Sequence, residues 1–281
     1  MSLEIVDTHG HLDMPEFDED REEVIRRAFE AGVKTIITIG INPESNLKAI
    51  QLAERYSNIY AGVGIHPQDS QGTTHETIDH LIQIAQHPRV IAIGELGLDF
   101  FREHSSRAAQ LKVLGWQLEA AKTIGKPIVI HCRQAQEEFL PILQEWCDGY
   151  RVSEGKPRGV LHCFNGDESL ARKYIEMGFY LSIGAYLGYP SSANLRENIK
   201  AIEISRILIE TDCPFLPPQK MRGKRNEPAY AAFTARILAE IKGVSIEEIG
   251  QITSDNARRV FNITKCESKP LVRFVDKPHL E

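Results

Sequence analysis

The stretch IVDTHGHLD, residues 5–13, decides between the two common α/β folds for this chain. A short apolar run, predicted as a strand over 3–7, ends within it. A doubly wound sheet that binds a dinucleotide carries a glycine-rich phosphate loop directly after its first strand. THGHLD occupies that position here, with His9 and His11 one residue apart. The stretch therefore favours a barrel, and it raises the question of whether the two histidines bind a metal.

The rest of the chain repeats the same alternation of short apolar runs and helical segments. Most of the runs are apolar on both faces, which is typical of parallel strands covered by helices. Strands are predicted at 3–7, 34–39, 59–64, 89–94, 127–131, 159–163, 179–183 and 206–211. Helices are predicted at 18–31, 106–124, 167–177 and 228–242. Eight strands alternating with helices predict an α/β fold of the (β/α)8 TIM-barrel type.

Length and composition fit one large domain. The chain has 281 residues, a formal net charge of −6 and five scattered cysteines without a CxxC pair. We expect a single catalytic barrel over 1–263 and a C-terminal extension of unknown structure over 264–281. A large basic face for duplex DNA is not expected. With neither a secretory signal nor a membrane-spanning run, the chain is expected to be cytoplasmic.

Polar residues of metal-ligand types follow the predicted strands at one end of the barrel. The active sites of such barrels lie at the carboxyl ends of the strands. The predicted strands end there in His9, His11, His66, Glu95, His131, Arg133, His162 and Asp212. The opposite ends carry Lys34, Arg89, Pro127 and Arg206, with no histidine among them. This asymmetry indicates a metal site at the carboxyl rim.

Strand geometry predicts which of these side chains point together. Side chains two residues apart lie on the same face of a strand, so His9 and His11 are expected to point the same way. The remaining ligands are expected from other strands, namely Glu95, His131, His162 and Asp212. Six ligands exceed one tetrahedral zinc but suit two metals that share a carboxylate, for which Glu95 is the chosen bridge. We predict that this carboxylate takes part in catalysis as well.

Several segments together resemble the signature segments of the TatD-type metal-dependent deoxyribonucleases, a family within the amidohydrolase-like barrels. They are DTHGHLD (7–13), GIHP (64–67), GELGLD (94–99), HCR (131–133), HCF (162–164), ETDCP (210–214), RGKRNEP (222–228) and SDNARRVF (254–261). They run in the family's order and spacing from residue 5 to about 262. Two departures are Phe100, where relatives often carry tyrosine, and the tail beyond about 264.

The resemblance implies a metal-dependent hydrolase that cuts phosphodiester bonds in DNA, often as a 3′-to-5′ exonuclease on single strands. It implies one metal on His9, His11, Glu95 and Asp212, and a second on Glu95, His131 and His162. The expected cofactors are two divalent cations, with zinc, manganese, nickel or magnesium as candidates. The expected partner is a single-stranded DNA end as substrate. No obligate protein partner is evident, so a monomer is expected.

The remaining roles follow from phosphate chemistry. Asp212 is predicted to act as general base toward an attacking water as well as ligand. The anionic substrate needs further cations, for which Arg133, Arg222 and Lys224 are candidates, and His66 could donate to phosphate. Asp7 is expected to be a buried hydrogen-bonding partner rather than a ligand.

Two other functions compete with the nuclease. One is an amidohydrolase that acts on a small-molecule ester or amide, with D-aminoacyl-tRNA deacylation as a variant within the nuclease branch. Many members of the amidohydrolase superfamily bridge their metals with a carboxylated lysine on strand four. Glu95 stands in that place here, which favours the nuclease. The other is a non-catalytic binding protein, against which the intact ligand set argues.

Overall fold

A computed structural model describes residues 3–102, 104–150, 152–153 and 155–264 of the chain. Within them, eight parallel strands pair in sequence order, β1 with β2 through to β8. The strands are β1 Ile5–Gly10, β2 Val33–Ile39, β3 Ile59–Val63, β4 Val90–Asp99, β5 Ile128–Arg133, β6 Gly159–Leu161, β7 Phe179–Ile183 and β8 Ile207–Ile209. The predicted TIM-barrel fold is confirmed.

Helices cover the outside of the strands. They are α1 Arg21–Glu30, α2 Pro43–Arg55, α3 His75–Ile84, α4 Arg107–Ile124, α5 Gln136–Gly149, α6 Glu168–Glu176, α7 Ala193–Ala201, α8 Ala231–Lys242 and α9 Ile246–Phe261. Their ends follow local sequence signals. Ser106 accepts a hydrogen bond from the Ala109 N–H and begins α4, and Gly125 ends it with φ 71°. The predicted helix at 228–242 begins as a separate 3₁₀ turn at Pro228.

The ring of strands is nearly closed, and the first and last strands meet at the carboxyl rim. The His11 N–H donates to the Cys213 carbonyl at 2.8 Å, and the Asp212 N–H donates to the His9 carbonyl at 2.8 Å. The Asp7 carboxylate accepts from both the N–H and the hydroxyl of Thr211, at 3.0 and 2.6 Å. The predicted hydrogen-bonding role of Asp7 therefore serves this junction, and its backbone partner His9 lies in the same strand.

Two apolar layers hold the barrel. Every second residue along the strands, for example Ile5, Ile128 and Ile207, packs outward against the helices. Their neighbours fill the interior, in one cluster made of Val6, Ile37, Ile39, Ile91, Ala92, Val129, Val160, Tyr180, Leu208, Ala257, Val260, Phe261 and Ile263. The last four come from α9 and the residues after it, so α9 closes the amino end of the barrel. The carboxyl end carries the polar residues.

Strand four is longer than predicted, which corrects one boundary. The prediction ended the strand at 94 and placed Glu95 at its tip, whereas β4 continues to Asp99. Pairing with β5 resumes after Glu95, where Leu96 through Asp99 pair with Ile130 through Arg133. The segment GELGLD (94–99) forms no turn after Glu95, because its glycines are accommodated within the strand, Gly97 with φ 148°.

The predicted division into a catalytic domain over 1–263 and an extension over 264–281 stays a prediction. Residues 265–281 lie outside the described residues. The four described cysteines are free thiols. No helix among the described residues is long and apolar enough to cross a lipid bilayer.

Candidate metal centre

Six side chains from five strands or their ends converge at the carboxyl rim. They are the six predicted ligands, His9, His11, Glu95, His131, His162 and Asp212. Three groups of potential ligand atoms form among them and their neighbours, each with all atoms within 4.8 Å of one another. The groups are His9–His11–Asp212, His9–Glu95–His162 and His66–Asp99–His131. The predicted set Glu95, His131 and His162 is not one of these groups, but Glu95 contacts both His131 and His162, so all six predicted ligands meet at one rim.

Local irregularities of two strands aim the central side chains. Val6 and Ala92 belong to the interior cluster, so strict alternation would turn His9 and Glu95 away from the barrel interior. The ladder between β1 and β2 shifts register between Asp7 and Gly10. The ladder between β4 and β5 shifts between Ile93 and Leu96. Such irregularities re-aim side chains, and here they bring the imidazole and the carboxylate into the cluster.

Glu95 lies at the centre, and its two carboxylate oxygens face different sets of imidazoles. Oε1 lies 2.6 Å from His131 Nδ1 and 3.0 Å from His162 Nε2. Oε2 lies 3.3 Å from His9 Nε2 and 3.8 Å from His11 Nε2. The carboxylate is 3% exposed. A carboxylate with one oxygen toward each of two ligand sets has the arrangement required of a bridge between two cations.

The spacing of the ligand atoms on the Oε2 side fits a tetrahedral cation. Four ligands at the usual zinc distances are about 3.3 Å from one another. His9 Nε2 and His11 Nε2 are 3.3 Å apart, and His11 Nε2 lies 3.4 Å from Asp212 Oδ1. His9 Nε2 lies 3.8 Å from the same Asp212 oxygen. The donor atoms and their separations therefore fit a bound divalent metal.

Backbone contacts fix the direction of the ligands. His11 Nδ1 lies 2.7 Å from the Ile39 carbonyl, so Nε2 is the nitrogen that faces the cluster and can bind a metal once it has lost its proton. Asp212 adopts a left-handed conformation with φ 55°, which is uncommon outside glycine, asparagine and aspartate. The His9 ring stacks on the His162 ring, with centroids 3.9 Å apart. These restraints hold the imidazoles before any ligand binds.

The electrostatics of the cluster favour an anionic Glu95. Burial alone would raise the pKa of its carboxyl, but His162, His9 and His66 hold that pKa well below its usual range. Burial lowers the pKa of His9. Burial opposes the proton on His11 too, yet the hydrogen bond and charge of Asp212 raise the pKa of His11 to about 9. A cation at these atoms would compete with the proton of His11.

Two acidic residues belong to the cluster although sequence reasoning gave them no firm place in it. Asp99 Oδ2 lies 3.2 Å from His131 Nε2, and its Oδ1 accepts from the Phe101 and Arg102 N–H groups. Glu210 Oε2 lies 3.5 Å from His162 Nδ1, while Oε1 accepts from the Cys163 N–H at 2.7 Å. Glu210 could have been found by its parity with Asp212. Asp99 ends the GELGLD segment (94–99), so a position beside the ligands or as a loop cap was within reach of the sequence.

The predicted substrate residues occupy the edge of the cluster. His66 Nε2 lies 3.7 Å from Glu95 Oε1, and burial lowers the pKa of His66 to about 3. Arg133 is exposed and stacks on the Phe101 ring, with Cζ 3.8 Å from the centroid. Arg222 and Lys224 are exposed in the loop after β8, and Arg222 lies over the Tyr189 ring at 4.9 Å. Their roles in substrate binding stay predictions.

The same loop also contains a cation with a structural role. Both terminal nitrogens of Arg225 donate to the Asp20 carboxylate at 2.8 Å. Glu227, which follows, accepts from Arg27 at 2.7 Å. These two pairs anchor the loop after β8 to α1 and its preceding turn. Arg222 and Lys224 of the same loop remain exposed to solvent.

A family model described as TatD related DNase matches residues 6–262. The chain belongs to the TatD family. The resemblance predicted from eight short segments is thereby confirmed over nearly the whole barrel. The chain is a metal-dependent hydrolase of this family, and the expectation of an enzyme is confirmed. A non-catalytic barrel is not supported.

Relatives of the TatD family cover nearly the whole chain. The uncharacterized metal-dependent hydrolase YabD of Bacillus subtilis is 40% identical over 92% of this chain and 99% of its own length. The 3′-5′ ssDNA/RNA exonuclease TatD of Salmonella typhimurium is 35% identical over 90% of this chain and 97% of its own. The solved structure of the TatD homolog YJJV from Escherichia coli K12 superposes with a TM-score of 0.86, at 29% identity over 94% of this chain and 100% of its own.

The wider structural likeness concerns the fold alone. An uncharacterized amidohydrolase from Saccharomyces cerevisiae superposes with a TM-score of 0.80 at 18% identity, over 92% of this chain and 100% of its own. The barrel of the TatD family is thus shared with amidohydrolases, as the sequence resemblance implied. The metal-ligand and catalytic roles of individual residues stay predictions.

Proposed function

We propose that this TatD-family hydrolase is a 3′-to-5′ exonuclease that shortens single-stranded DNA with two divalent cations. The observation that carries the proposal is the Glu95 carboxylate, whose two oxygens face two separate sets of imidazole nitrogens. A relative that is 35% identical bears the name of a 3′-5′ ssDNA/RNA exonuclease, which supports the polarity and the substrate class.

The residues would divide into two sites around the shared carboxylate. His9, His11, Asp212 and Glu95 Oε2 would hold one cation, and Glu95 Oε1 with His131 and His162 would hold the other. Two cations there would supply an acidified water and offset the charge that builds on the phosphoryl oxygens. Zinc, manganese or nickel suits the imidazoles better than magnesium alone.

The chain's own residues would then move the proton and hold the phosphate. Asp212 lies at the open edge of the cluster, 14% exposed against 3% for Glu95, so the attacking water can reach it. Its pKa is lowered, against the effect of burial, by its hydrogen bond to His11 and by the charges of the neighbouring histidines. We assign Asp212 as general base and Arg133 as the arginine that contacts the phosphate.

The cellular setting forms part of the same proposal. Free thiols at all four described cysteines suit a reducing, cytoplasmic compartment. The monomeric state stays a prediction, which light scattering on the purified protein would test.

The decisive experiment measures metal and product together. The purified protein is assayed for bound metal, and then incubated with single strands labelled at the 3′ or the 5′ end, with and without chelator. The proposal expects two metals per chain and loss of the 3′ label first, both abolished by chelator. A protein that holds metal but leaves both strands intact would contradict the nuclease and point to a small-molecule amide or ester, or to D-aminoacyl-tRNA.

A further inference from the structure

Two phenylalanine rings stand exposed at the mouth of the metal centre. Phe101 is 52% exposed and Phe215 is 45% exposed, whereas most large apolar side chains of the described residues are buried. Phe101 follows β4 and Phe215 follows β8, and these strands are four places apart in the eight-stranded ring. The two rings therefore rise from opposite sides of the mouth, with the six candidate ligands between them.

Each ring is tied to one side of the cluster. The Phe101 N–H donates at 2.9 Å to Asp99 Oδ1, and Asp99 Oδ2 contacts His131. The Phe215 N–H donates at 2.9 Å to the Asp212 carbonyl. The Phe215 ring meets His11 edge-on, with centroids 6.1 Å apart. A molecule held between the rings would thus lie over the candidate metal ligands.

Cations accompany the rings. Arg133 Cζ lies 3.8 Å from the Phe101 centroid and covers one side of that ring. Among the described residues, Arg133 makes no ion pair, so its charge is available to an anion. Arg222 and Lys224 are exposed in the loop that follows Phe215. Aromatic faces next to unpaired cations are the combination that binds single-stranded nucleic acid, because bases stack on the rings and phosphates meet the cations.

We propose that Phe101 and Phe215 are stacking platforms for the bases on either side of the scissile phosphate, and that they set the preference for single strands. This inference rests on the proposed nuclease function and adds the residues that choose the substrate. In a duplex both faces of each internal base are covered by neighbouring bases, so no face is free for a protein ring. A strand without partners offers those faces at no unpairing cost.

The test compares leucine variants on strands with and without bases. Phe101→Leu and Phe215→Leu keep apolar bulk but remove the flat ring, and Phe101→Tyr and Phe215→Tyr restore it. Substrates are a single strand, the same strand with its last three nucleotides abasic, and the matching blunt duplex. KM and kcat are measured for each, along with bound metal.

The inference expects each leucine variant to raise KM on the normal strand by about fivefold to hundredfold, with kcat nearly unchanged. On the abasic strand the same variants should match the wild type, since no base is present to stack. The tyrosine variants should restore the KM. The difference in KM between the single strand and the duplex should be smaller in the leucine variants than in the wild type.

Tyr60 offers a matched control. It is another aromatic residue with a stacked arginine, Arg89 Cζ at 4.1 Å, but it lies near the amino end of β3, away from the rim. Tyr60→Leu should leave KM unchanged on every strand.

Two results would overturn the inference while leaving the nuclease intact. One is an unchanged KM on the normal strand in both leucine variants. The other is a loss of equal size on the abasic strand, which would mean that the rings only support the fold of the rim. A wild-type protein that holds metal but cuts none of the three substrates would instead overturn the proposed function, and this inference with it.

Discussion

The two ends of the barrel use their polar side chains in opposite ways. At the amino end, cations point at backbone carbonyls: Arg89 donates to the carbonyls of Ala53, Tyr56, Ser57 and Ile59. Lys242 donates likewise to Ile199 and Ile202, and Lys34 to Phe29. At the carboxyl end, imidazoles and carboxylates point at one another, with nitrogen–nitrogen approaches such as the 3.3 Å between His9 and His11.

The difference separates stability from function. Cations at the amino end satisfy carbonyls that helices and turns leave without partners, so each contact stabilises the fold. At the carboxyl end, imidazole nitrogens and carboxylate oxygens converge at separations that suit a bound cation, so these residues serve the site rather than the stability of the fold. Substitutions at the two ends should therefore affect different measurements.

The largest effect is expected from Glu95→Gln. The amide keeps the size of the side chain but removes the charge that both ligand sets share, so turnover should fall by about 10³-fold or more. Far-ultraviolet circular dichroism should show an unchanged fold, and metal analysis should show less than the wild-type content. Near-normal turnover with full metal content would contradict the bridging role.

The opposite end should respond through stability. Arg89→Met leaves several carbonyls without a donor and should lower the free energy of unfolding by about 3 kcal/mol. Its kcat at a temperature where it is folded should match the wild type. Arg26 on α1 is the control, because its pairs with Glu23 and Glu30 are exposed. Arg26→Met should leave the midpoint of the same urea titration nearly unchanged.

Metal affinity should depend on pH, with the sign set by His11. Its pKa is raised to about 9 by Asp212, against the effect of burial, so the imidazole is protonated at neutral pH until a metal displaces that proton. Apparent affinity should rise by about tenfold per pH unit for each proton displaced, and level off above pH 9. Calorimetry in two buffers of different ionisation enthalpy counts the protons. An affinity that is flat from pH 6 to 9 would contradict this account.

The smallest effect is expected at the loop after β8. Lys224→Ala removes one exposed cation and should raise KM for single strands a few-fold. The slope of log KM against log salt concentration should fall by about one. Lys200→Ala is the control, since Lys200 lies on α7 and pairs with Glu197. Equal salt slopes in both variants would remove the loop from the substrate path.

The carboxyl rim was predictable from sequence because its residues stand at strand ends. The apolar runs gave eight strands in the right order, and the position after each run gave His9, His11, His131, His162 and Asp212 as neighbours. Parallel strands bring their carboxyl ends to one rim whatever the details of pairing. That rule needs no knowledge of side-chain direction.

The alternation of side chains along a strand could not predict that His9 and Glu95 point into the cluster. His9 and Glu95 reach the cluster through register shifts in β1 and β4, which no local propensity announces. The extension of β4 to Asp99 was missed because the apolar run ends at Gly94, whereas the strand continues through Glu95 and accommodates Gly97. Arg225 stands in the same loop as the candidate cations Arg222 and Lys224, and only its tertiary contact with Asp20 distinguishes its structural role from theirs.

The junction between β1 and β8 also determines at what point during synthesis of the chain the metal centre can form. His9 and His11 lie in the first strand or just after it, whereas Asp212 follows the last strand. The Asp212 N–H donates to the His9 carbonyl and so joins the two strand ends. During synthesis, a chain that has emerged only through β7 carries five of the six candidate ligands but has nothing to close the ring. The complete set of candidate ligands is therefore assembled late, and a growing chain carries no finished metal centre until β8 and Asp212 have been made.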